Sequence, residues 1–86
     1  MTLKELLNSY KQSLAQADEL EKLYEAEPDN TELETAFDSA YNNNFSDYLT
    51  LAQALVNVTN GQIDLNTAKQ MIKTQLDRLE KIIEIA

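Results

Sequence analysis

Side chains able to do chemistry are concentrated between Asp18 and Glu34, where Asp18, Glu19, Glu21, Glu25, Glu27, Asp29, Glu32 and Glu34 stand against Lys22 alone. Carboxylates at this density can ligate a hard cation, exchange protons, or present a charged surface to a basic partner. Calcium ligation needs a loop that folds the carboxylates around one point, and the glycine-bearing EF-hand pattern is absent. Acid–base catalysis needs a nucleophile, a second titrating group or a metal in a pocket. The chain has no His and no Cys, which removes imidazole and thiolate metal sites and the triads built on them. Ser, Thr, Tyr and Lys form no recognisable constellation. The expectation is a protein that is not an enzyme and carries no catalytic residues, metal or cofactor.

Electrostatic recognition is what remains. Of the eight net negative charges of the chain, seven fall in residues 18–34, while 1–17 carry one net positive, 35–61 two negatives and 62–86 none. Part of this cluster has a local explanation, because Asp29, Glu32 and Glu34 lie where a second helix should begin and favour its positive dipole end. Glu25 and Glu27 sit where the first helix should end, and there the dipole disfavours acids. The bland reading is a solvated acidic face. The functional reading is a surface for a basic partner, carried by Glu21, Glu25, Glu27, Asp29 and Glu32, with Leu20 or Leu23 as apolar contact. Seven basic residues against fifteen acids leave no basic stripe, so direct binding of nucleic acid is not expected.

The elements that must position these residues follow from a chain with one Gly and one Pro, which leaves almost no tight-turn chemistry and makes long helices the default. Thr2-Leu3-Lys4-Glu5 has capping-box spacing, and Leu3, Leu6, Leu7, Tyr10, Leu14, Ala17 and Tyr24 recur at helical steps until Pro28 stops the ladder. Asp29, Asn30 and Thr31 are all N-cap types, and Thr31-Glu32-Leu33-Glu34 repeats the capping spacing. From there Ala36, Phe37, Ala40, Tyr41, Tyr48, Leu51, Ala52 and Leu55, with Phe45, Leu49 and Val56 beside them, define a second helix ending at Asn60-Gly61. Asn42-Asn43-Asn44 is the one place where that helix could break, and Asn44 projects onto its apolar stripe. Asp64 should cap a third helix, with Ile63 as a staple and Leu65, Ala68, Ile72, Leu76, Leu79, Ile83 and Ala86 as its stripe.

The expectation is a single all-α domain over 1–86: an antiparallel up-down-up three-helix bundle with helices at about 2–26, 31–59 and 64–86, helix two being continuous or broken near 42–45. At about 1.5 Å per residue such a bundle is about 35 to 40 Å long. No apolar run approaches the roughly 18 residues of a membrane span, no basic flank and apolar stretch mark a signal sequence, and a cytoplasmic location without membrane contact is expected. The triplets Asn44-Phe45-Ser46 and Asn57-Val58-Thr59 are then chance glycosylation matches.

Function is expected to be non-catalytic. The leading reading is an inhibitor or adaptor whose acidic pole binds a basic surface of another protein, in the extreme case a groove that normally holds nucleic acid. Small acidic helical inhibitors from phages and mobile elements share this composition, with no motif behind the analogy. The alternatives are a homo-oligomeric structural module, a homodimer built on the wide face of helix two and on Ile82-Ile83-Ile85, or a toxin-immunity protein. Colicin DNase immunity proteins have similar length and acidity, but their paired Tyr-Tyr is missing here.

Overall fold

The computed structural model describes residues 2–85, and all of its regular structure is helical: α1 (Leu3–Ala26), α2 (Thr31–Val58), α3 (Leu65–Thr74) and α4 (Leu76–Ile85). Thr2 caps α1 as its spacing predicts. Its hydroxyl accepts from the Glu5 N–H at 3.2 Å, and the Glu5 carboxylate accepts from the Thr2 N–H at 3.3 Å. The cap of α2 is Asn30, one residue before the expected Thr31, and its side-chain oxygen accepts from the N–H groups of Glu32 and Leu33. Thr31 becomes the first helical residue, because the Asn30 side-chain oxygen takes the N–H groups of Glu32 and Leu33 while the Asn30 carbonyl accepts from the Glu34 N–H, so the first turn is satisfied one residue earlier. The helix ends in a Schellman turn. Gly61 N–H donates to the Val56 carbonyl and Asn60 N–H to that of Asn57, with Asn60 and Gly61 at φ 54° and 80°, the left-handed region that Asn and Gly tolerate best.

Two expectations about continuity resolve in opposite ways. The triple Asn does not break α2, which runs unbroken through 42–45. Asn44 is half-buried, and its side-chain amide donates to the Tyr10 carbonyl and the Ser13 hydroxyl of α1 at 3.4 and 3.2 Å, so a poor helix former is held by tertiary hydrogen bonds. The break falls in the third segment. Gln75 leaves helical angles (φ −132°, ψ 35°), and one residue closes α3, donating to Met71, and opens α4, accepting from Leu79. Four helices therefore stand among the described residues where three were expected.

The reason for the break lies in what the two halves bury. α3 packs on α2 and α4 packs on α1. Ala68 and Ile72 from α3 and Leu79 and Ile83 from α4 enter one core with Leu7, Tyr10, Tyr48, Leu51, Ala52 and Leu55. Turning at Gln75 lets a single apolar stripe serve two different neighbours. Leu51, Ala52 and Ala68 are fully enclosed, Leu76 is only half-buried, and Leu65 and Ile82 are exposed. Ala86 and the Ile85 side chain lie outside the described residues.

α4 is pinned to α1 by an ion pair of 2.6 Å between Lys11 and Glu80, and this hydrogen bond holds the Lys11 ammonium above the usual lysine range. The result is long and lopsided, 46 × 23 × 21 Å with a radius of gyration of 14.7 Å, against about 12 Å for a compact chain of this length. The two short helices cover one half of the α1–α2 hairpin. Towards the tip the two long helices pack only on each other, drawn together where Ala17 and Ala40 are buried.

Candidate functional site

The α1–α2 connection places every predicted binding residue at or near one end of the molecule. Glu21 and Glu25 are exposed on the last turns of α1, Glu27 is its C-cap, Asp29 lies in the connection, and Glu32 is in the first turn of α2. The turn is closed by backbone bonds. Glu27 N–H donates to the carbonyls of Leu23 and Tyr24, and Asn30 N–H to that of Glu27 at 3.0 Å. Leu20 is half-buried and Leu23 is 47% exposed. The acids are close in the fold yet do not converge, since no group of three or more His, Cys, Asp or Glu able to hold a metal occurs among the described residues. None of these carboxylates has an ion-pair partner among the described residues.

Burial separates this end from the rest. Between residues 18 and 39 no side chain is buried; Leu20, Tyr24, Leu33, Ala36 and Phe37 reach only intermediate exposure. A two-helix hairpin cannot enclose an apolar stripe, which needs a third element on its open side. An open, charged face of this kind is able to meet an oppositely charged surface.

Sequence reading missed a feature beside the acids. All six aromatic residues line up along the hairpin. Tyr24 of α1 stacks on Phe37 with ring centres 6.1 Å apart, Phe37 meets Tyr41 edge-on at 6.3 Å, and Phe45 lies 6.2 Å from Tyr48, which lies 6.3 Å from Tyr10. Tyr10 and Tyr48 are buried as expected, and burial first, then Tyr48 and Asp18, push the Tyr10 phenol above its usual range. Tyr41 and Phe45, read as core, are 57% and 50% exposed. Their four-residue spacing was visible in the sequence; their exposure follows from the turn at Gln75, which takes α4 away from them. Beside them Lys73 of α3 sits 5.5 Å above the Tyr48 ring, within cation–π range.

No family model, curated protein or solved structure matches this chain. Among the described residues, no helix is long and apolar enough to cross a membrane.

Proposed function

We propose that this protein is a non-catalytic interaction module, an inhibitor or adaptor whose acidic hairpin tip binds a basic surface of another protein. The observation that carries this reading is the tip itself: seven net negative charges in residues 18–34 on a projecting pair of helices with no buried side chain from 18 to 39. Unpaired acids at the C-terminal end of α1 oppose its dipole, and a charged projection raises the rate of encounter with an oppositely charged partner while disfavouring nucleic acid. A partner whose basic groove normally holds nucleic acid is the extreme case of the same complementarity.

The test is the protein immobilised and challenged with host lysate at low and high salt, beside a variant with Glu27→Gln, Asp29→Asn and Glu32→Gln. A partner retained by the parent, lost by the variant and released by salt supports the reading. A partner held equally by both would place function elsewhere. A homodimer is the second reading, favoured by the exposure of Val58 (62%) and Ile82 (51%), both outside the acidic stretch 18–34; Ile83, expected in that interface, is enclosed in the core. Sedimentation equilibrium separates the two.

A further inference from the structure

We propose that the uncovered groove along the distal half of the α1–α2 hairpin is the docking site for a basic amphipathic helix supplied by another protein. The proposal rests on the reading that the tip meets a basic partner, and it names the face used and the shape of what fits.

Seven-residue steps keep to one side of a helix, drifting only by about 20° per step. On α2 the column under α3 runs Leu55, Tyr48, Tyr41, Glu34, and its neighbour runs Ala52, Phe45, Asp38. On α1 the column that meets α4 runs Leu7, Leu14, Glu21, and beside it Lys11, Asp18, Glu25. Each column is enclosed, half-buried or paired where α3 and α4 lie, and exposed and acidic towards the tip. The two α2 columns pass through aromatic rings on the way. The face that buries the chain's own third segment thus continues beyond Gln75 as a track with an aromatic floor and carboxylate walls, about 18 Å long from Phe45 to Leu33.

The floor has relief. Tyr10, Tyr41, Asn44, Phe45, Tyr48 and Lys73 bound a hollow of about 170 Å³, which can receive an apolar side chain of a helix lying end-on to α3. What α3 itself presents indicates the occupant. Its only charged residues are Lys69 and Lys73, it buries Ala68 and Ile72, and it sets Lys73 over Tyr48. A second helix of the same character, apolar on one face with Lys or Arg along its edges, meets Tyr41 and Phe45 with its apolar side and Asp18, Glu21, Glu25, Glu34 and Asp38 with its cations. A second copy of this chain does not fit, because pairing two such tracks would bring together two tips of seven net negative charges each.

The probe is a synthetic helix-forming peptide of about 15 residues with Leu on one face and Lys and Arg on the other, beside an isomer of identical composition in scrambled order. Amide chemical shifts of the whole chain should move at Asp18 to Glu25 and Glu34 to Phe45, with the scrambled isomer binding about tenfold more weakly. Tyr41→Ser with Phe45→Ser should weaken binding by about tenfold at unchanged helicity; if that variant loses helicity, the shift map on the parent chain decides. Equal binding of both peptides, with shifts confined to Glu27 to Glu32, would overturn the groove while leaving the broader reading standing. No binding of either peptide at low salt would remove both. A dimer dissociated by the aromatic substitutions would overturn the groove in favour of self-association.

Discussion

Asn44 is the residue whose meaning changes most between sequence and structure. As a polar residue on an apolar stripe it invites replacement by an aliphatic, yet its amide ties α2 to the Tyr10 carbonyl and the Ser13 hydroxyl. Asn44→Ala should destabilise the fold by about 1 kcal/mol, the usual net worth of such a bond, as measured by urea unfolding; a gain in stability would show that the contacts contribute nothing. The helix caps set a pH dependence. Asp64 is held below the usual carboxylate range chiefly by the Thr67 N–H, and Glu5 chiefly by the Thr2 N–H. A carboxyl with a lowered folded-state pKa lends stability above its ordinary range, and that stability is lost as pH falls through the folded value. Hydrogen exchange of the Thr67 amide, corrected for its intrinsic pH dependence, should therefore accelerate below the ordinary Asp range and change little from there to neutrality. Loss of protection only on the alkaline side would contradict this.

At the scale of elements, the turn at Gln75 makes the sharpest difference between a straight bundle and the observed fold. The N–H groups of Leu76, Asp77 and Arg78 open α4 and have no acceptor within it, whereas those of Gln75 and Leu79 donate to the Met71 and Gln75 carbonyls at 2.9 Å. Hydrogen exchange should be fast at 76–78 between protected neighbours; uniform protection from Ile72 to Leu79 would mean that the third helix is continuous. Burial ranks the core in the same way. Leu51→Ala should cost about 2 to 5 kcal/mol as a fully enclosed position, and Leu76→Ala less, because Leu76 sits half-buried at the turn. Equal losses at the two sites would mean that Leu76 is packed along a straight helix.

The whole molecule is a stable end joined to a charged one. Among the described residues the main core lies in the end covered by α3 and α4, and towards the tip burial is limited to Ala17, Ala40 and a few half-buried apolar side chains while like charges accumulate. Glu25→Gln with Glu27→Gln removes two acids from the unfavourable end of the α1 dipole, and should raise the melting temperature by a few degrees at low salt. The gain should shrink as salt screens the tip; a lower melting temperature in both conditions would mean that these acids make stabilising contacts. What the amino-acid order determined by itself was local: the capping box at Thr2, the stop at Pro28, the Asn60-Gly61 terminus, the Asp64 cap and the acidic pole each depend on residues a few positions apart, whose hydrogen bonds and dipoles act over one turn. Tertiary packing decided whether the triple Asn would hold and where the third helix would turn. Asn44 is kept helical by partners more than thirty residues away, and Gln75 bends although neither Pro nor Gly marks the spot, because its two flanking stripes bury on different helices. The exposure of Tyr41 and Phe45 follows from that bend. Apolar spacing names the face of a helix, but only the path of the neighbouring helix determines whether that face is covered.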